Sequence, residues 1–72
     1  MAHCVTKPQR EGAIQKLQTL IEGGTLDSQM GEDATQLISY LEEDAIYYKF
    51  EDEDYFLLRK VGMDPTTTFE VW

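Results

Sequence analysis

The chain reads as a small α+β domain in which two helices pack on a three-stranded antiparallel sheet, in the order ααβββ. Three observations carry that expectation. Two stretches in the first half repeat apolar residues at helical spacing between capping residues. From Ala45 onward β-branched and aromatic residues take over. Two turn-like segments, "EDED" and "GMDP", divide that second half into three short runs. The rival reading is an all-α domain with a short third helix at 52–61.

The first helix is expected over residues 8–22. Thr6 stands where an N-cap belongs, with Gln9 three residues on as in a capping box, Pro8 in the first turn and Gly23 as the closing residue. Ala13, Ile14, Leu17, Leu20 and Ile21 fall on one side. The second helix is expected over 32–43, where Ala34, Leu37, Ile38 and Leu41 share a face and Glu32 and Asp33 suit the positive first turn. Asp27 or Ser28 would cap an earlier start, which makes Gly31 a weak point inside the helix. The short linker "GGTLDSQMG" points to a helical hairpin within one domain.

In "AIYYKF" the residues Ile46, Tyr48 and Phe50 alternate with Tyr47 and Lys49, and "YFLLRKV" follows after four acids, so the pair reads as a β-hairpin. "TTTFEVW" supplies the third strand. The core side of the sheet would hold Ile46, Tyr48, Phe50, Phe56, Leu58, Phe69 and Val71, leaving Tyr47, Leu57, Arg59 and Trp72 on the other side. The rival third helix rests on the acids before "YFLLRK", on Arg59 and Lys60 near its end, and on Gly62 just after. Residues 1–5 are expected to be a flexible tail and residues 6–72 a single small domain, since 72 residues build one thin core.

Charge is the most informative part of the composition. Of the net charge of −8, residues 27–54 hold ten acids against Lys49 alone, a local −9, while the segments before and after are close to neutral. Affinity for DNA or RNA comes from lysines and arginines that neutralise phosphates, so direct nucleic-acid binding is not expected and a basic partner is the complement. The start "MAHCVTKPQR" lacks the apolar stretch of a signal peptide, and no run approaches the ~18 apolar residues of a membrane span. With one cysteine, Cys4, no internal disulfide can form, and a reducing cytoplasmic location is the expectation.

Catalytic chemistry finds few groups to work with. The one histidine, His3, lies beside Cys4 in the expected tail, there is no glycine-rich phosphate loop, and the acids crowd into turns and helix ends rather than a cleft. Calcium-loop spacing fails from Asp27, which puts Ile38 at the bidentate position, and from Asp52, which puts Phe56 and Leu58 where oxygens are needed. The expectation is therefore no enzyme, no cofactor and no metal.

What remains is the charge surface. Glu42, Glu43, Asp44, Glu51, Asp52, Glu53 and Asp54 form the candidate partner-binding set, with Tyr47 and Tyr55 as aromatic anchors. Carboxylates ~3.3 Å apart along extended chain, or ~5–6 Å apart on a helix, approach the spacing of phosphates. In size, acidity and lack of catalytic groups the chain is similar to small phage or mobile-element proteins that inhibit host nucleic-acid enzymes, among them anti-CRISPR and anti-restriction proteins. That similarity is one of character, carried by no motif. It implies an inhibitor that mimics nucleic acid on a basic protein surface. The alternative is a structural or regulatory module, or a homodimer, that works through an apolar sheet face, with the acids serving solubility.

Overall fold

The computed structural model describes residues 2–43 and 45–71. The elements run β1 (His3–Cys4), α1 (Lys7–Glu22), α2 (Ser28–Leu41), β2 (Tyr47–Tyr48), α3 (Asp52–Lys60), α4 (Pro65–Thr68) and β3 (Glu70–Val71). The class is mixed α+β, with four helices and one three-stranded antiparallel sheet among the described residues. The sheet is much smaller than the sequence suggests, since each strand has two residues.

Helix α1 starts as its capping box demands: the Thr6 N–H donates to Gln9 Oε1 at 3.1 Å. Its end differs in one detail. Gly23 stays right-handed, and Gly24, with φ of 70°, makes the left-handed turn that only glycine adopts at little cost. Helix α2 takes the earlier of its two starts, because the Asp27 carboxylate accepts the Met30 N–H at 2.8 Å. The two helices pack together through Ala13 and Leu17 on α1 and Ala34, Leu37, Ile38 and Leu41 on α2, all of them buried.

The expected hairpin over residues 46–61 is replaced. Residues 52–60 are helical, as in the rival reading, because the local end signals outweigh the β-propensity of "YFLL". The Glu51 N–H donates to Asp54 Oδ2 at 3.0 Å, the acids lie at the positive helix start, and Arg59 and Lys60 lie at its end. Gly62, with φ of 79°, turns the chain out of the helix. "TTT" likewise becomes α4, since Asp64 Oδ1 accepts both the backbone N–H and the hydroxyl of Thr66 at its start.

The N-terminal residues supply what the hairpin does not. His3–Cys4, expected to be part of a tail, is the central strand: the order is β2-β1-β3, with His3 opposite both Tyr48 and Val71 and Cys4 opposite Tyr47 and Glu70. His3, Tyr48 and Val71 share the inner side, and Cys4, Tyr47 and Glu70 share the outer one. His3 and Tyr48 are buried, and the Tyr48 hydroxyl donates to the Glu43 carbonyl at 2.6 Å.

Tyr48, Phe50, Leu58 and Phe69 are core residues as expected, but Ile46, Phe56 and Val71 are largely exposed and Leu57 is buried. The reversals at Phe56 and Leu57 follow from the replacement of strand by helix, because the inward side no longer alternates every second residue, whereas Ile46 lies just before β2 and Val71 lies in an edge strand. Trp72 lies outside the described residues.

Candidate functional site

The acids of the "EDED" run are built into α3 as its opening turn. Glu51 is the N-cap residue, and Asp52, Glu53 and Asp54 follow it. Their charges favour the helix start, where unpaired N–H groups leave partial positive charge. This arrangement gives the run a structural role whatever else it does. It also fixes where the charges point.

One shallow concavity of about 210 Å³ gathers part of this run against α2, lined by Asp33, Gln36, Leu37 and Tyr40 from α2 and by Glu51, Glu53 and Asp54. The α2 contributors are spaced three, four and seven residues apart and so share one side of that helix. Four carboxylates from two elements therefore line one surface, and neither lysine nor arginine is among the residues that do so. Tyr40 is part of the lining, and its hydroxyl accepts the Lys49 backbone N–H at 2.9 Å, which ties the segment after β2 to α2.

Asp54 carries the electrostatic strain of this arrangement. Burial is the largest influence and raises its carboxyl pKa from the ordinary value, and the like charges of Glu53, Glu51 and Asp33 push the same way. The hydrogen bond from the Glu51 N–H opposes them. Asp64, outside the concavity, shows the reverse: bonds from the Thr66 hydroxyl and N–H, with Arg59 Nε 3.4 Å away, lower its pKa.

Of the expected partner-binding residues, Glu51, Glu53 and Asp54 come together here. Asp52 is exposed beside them in the same helical turn. Glu42 and Glu43 are exposed at the far end of α2, roughly 14 Å along its axis from Asp33. There the Arg10 side chain donates to the Glu43 carbonyl at 3.4 Å, so a cation borders that end of the acidic segment. Asp44 lies outside the described residues. Tyr47 is exposed on the outer side of the sheet, away from the concavity's lining. Tyr55 is half-buried, with its hydroxyl 2.6 Å from His3 Nε2, which makes it a packing residue rather than a free anchor.

Asp33 and Tyr40 were not expected in this surface, although the signal was present. Both sit at helical spacing from the buried Leu37, on the side that any element packed beside α2 would meet.

Among the described residues no group of three or more histidines, cysteines, aspartates and glutamates is arranged to hold a metal ion. No helix among the described residues is long and apolar enough to cross a membrane. No protein-family model, curated protein or solved structure matches the chain.

Proposed function

We propose that the protein is a non-enzymatic acidic inhibitor that places its carboxylates where the phosphates of a nucleic acid would lie, and so blocks a basic nucleic-acid-binding site on a partner protein. It would act in the manner of phage or mobile-element anti-defence proteins, in a reducing cytoplasmic compartment. The observation that carries this reading is the convergence of Asp33 with Glu51, Glu53 and Asp54 on one surface free of lining cations. Capping of α3 accounts for the last three acids; Asp33 lies outside that cap, on α2, where it accepts the Gln29 side-chain amide at 3.3 Å.

The physics of such a contact is that of nucleic acid itself. A basic groove releases its bound anions when the carboxylates arrive, so affinity falls steeply with salt. Asp54 adds a proton linkage: a partner's lysine or arginine beside it restores the carboxylate, and binding strengthens as pH rises through the range in which free Asp54 ionises.

The test uses proteins from a cell lysate that bind DNA-cellulose, passed over the immobilised wild-type chain and over a variant carrying Asp33→Asn, Asp52→Asn and Glu53→Gln, which leaves the Glu51–Asp54 cap in place. The reading expects proteins retained by the wild type, eluted by added duplex DNA, and lost from the variant. Equal retention by both, or retention that DNA does not displace, would overturn it.

A second reading is favoured by one specific observation: Ile46 is 64% exposed and Phe56 50% exposed, high values for large apolar side chains in so small a domain. A regulatory module or homodimer acting through apolar surface would lose its association on Ile46→Ser or Phe56→Ser and keep it when the three acids are neutralised. Leu57, buried in the core, has no place in that contact.

A further inference from the structure

His3 is the one histidine of the chain, and the fold puts it in an unusual position. It stands in the central strand, is 2% exposed, and pairs across the sheet with Tyr48 on one side and Val71 on the other. Its ring lies 5.6 Å from the Phe50 ring and 5.5 Å, edge-on, from the Tyr55 ring. Nε2 is 2.6 Å from the Tyr55 hydroxyl, while Nδ1 is buried with no hydrogen-bond partner among the described residues. Neither nitrogen bonds to a carboxylate among the described residues.

From this geometry we infer that His3 is an acid-sensitive latch: neutral, it holds β1 in the sheet and Tyr55 of α3 against the sheet, and protonated it releases both.

A neutral imidazole can share one proton with the Tyr55 hydroxyl and leave the other nitrogen buried, a tolerable arrangement because no net charge is involved. Protonation makes both nitrogens donors. Nε2–H must then donate to the Tyr55 oxygen, and Nδ1–H becomes half of a buried cation with no acceptor among the described residues.

Among the described residues the surroundings supply no counter-charge. Tyr48 of β2 commits its hydroxyl to Glu43 and Leu41 carbonyls, Phe50 and Val71 are apolar, and Glu70 of β3 points to the outer side with Cys4. On α3 the groups concerned are Tyr55 itself and Arg59, a cation 6.0 Å from the Tyr55 ring. Burial lowers the His3 pKa, and the positive amino terminus acts in the same direction.

The consequence is large for a group this small. Both sheet pairings run through β1, so its release leaves β2 and β3 without a neighbour. Tyr55 directly follows Asp54, so the same event frees the α3 turn that carries the acids. This latch stands whatever the acidic surface binds.

For the sign, a histidine whose folded pKa is lowered contributes stability that is complete above its unfolded pKa of about 6.5 and is lost as pH falls from there toward the folded value. The test is an NMR titration of the wild-type chain from about pH 8 to about pH 4.5, in which the single histidine ring signal needs no assignment by mutation. The expected result is a midpoint below that of an unstructured histidine peptide, with the Cys4, Tyr48 and Val71 amides and the Tyr55 ring shifting or broadening with the same midpoint. A midpoint at or above the peptide's, or ring protonation that leaves those signals in place, would overturn the inference. As a second arm, the melting temperature of the wild type should fall relative to His3→Gln over the same acid range. Parallel curves for the two proteins would equally overturn it.

Discussion

The helical hairpin and the aromatic layer bury their side chains by different means. In α1 and α2 the core is aliphatic, and every buried side chain sits at a spacing that the helix itself dictates. In the layer formed by His3, Tyr40, Tyr48, Phe50, Tyr55 and Phe69 the elements are short, and the rings come from β1, α2, β2, the β2–α3 connection, α3 and the residue after α4. The hairpin is stable through local order reinforced by packing. The aromatic layer exists only once distant parts of the chain have met, so damage to it should spread further.

The strongest test of that contrast is Phe50→Ala set beside Leu17→Ala. Phe50 has five rings within contact range, those of His3, Tyr40, Tyr48, Tyr55 and Phe69. Truncation should cost about 3–5 kcal/mol, against about 2–5 kcal/mol for the leucine. A 72-residue domain holds only ~0.05–0.15 kcal/mol per residue, so either loss takes up much of the total, and Phe50→Ala should lower the urea midpoint further than Leu17→Ala. If the leucine variant is the one with the lower midpoint, the hairpin and not the aromatic layer is the keystone.

A gentler change probes the join between the two regions. The Tyr48 hydroxyl bonds the carbonyl of Glu43, just past α2, at 2.6 Å. Tyr48→Phe keeps the ring stacking with Phe50 and removes that bond. The expected loss is about 1 kcal/mol by chemical denaturation, since the freed carbonyl belongs to an exposed residue that water can reach.

The same contrast explains what could be read from the sequence. The capping box at Thr6, the 3.6-residue periodicity of α1 and the Asp27 cap are local signals, and the structure follows them. The strands are two-residue contacts with no periodicity to read, and the central one comes from "HC", which nothing in its composition marks as sheet. For residues 52–60 two local signals disagreed, and the helix-end charges decided the outcome over aromatic β-propensity. The acidic surface was legible in part: the clustered charge identified Glu51–Asp54, but Asp33 joins them only through the packing of α2 on α3, and Glu42 and Glu43 do not.

The hairpin contains its own weak points, and removing them should widen the difference between the regions. Gly12 in α1 and Gly31 in α2 lie in helical backbone, and a Cβ added at either would meet nothing within 4 Å. Gly12→Ala and Gly31→Ala should each stabilise the fold by about 0.5–1 kcal/mol, measured as a rise in the urea midpoint at unchanged slope. Alanine at Gly24 or Gly62, where φ is 70° and 79°, should do the opposite.

The smallest effect concerns the charged border where the two regions meet. Asp54 has its pKa raised from 3.8 by burial first and by Glu53, Glu51 and Asp33 after it. A carboxyl raised in the folded state binds its proton more tightly there than in the unfolded chain, so its contribution to stability is present at low pH and is lost as pH climbs from the ordinary value through the raised one. Asp54 is also within reach of solvent, which screens the repulsion and keeps the effect modest. Asp54→Asn preserves an oxygen to accept the Glu51 N–H and removes the ionisation. Unfolding curves measured at a series of pH values from about 3.5 to about 6.5 should show the wild type losing stability relative to the asparagine variant as pH rises. His3 acts in the opposite sense over an adjoining range, gaining stability for the fold as pH rises toward 6.5. A double variant, His3→Gln with Asp54→Asn, separates the two. If removing Asp54 leaves the pH profile unchanged, the carboxylates of the concavity do not repel one another enough to matter, and a basic partner would gain little from relieving them.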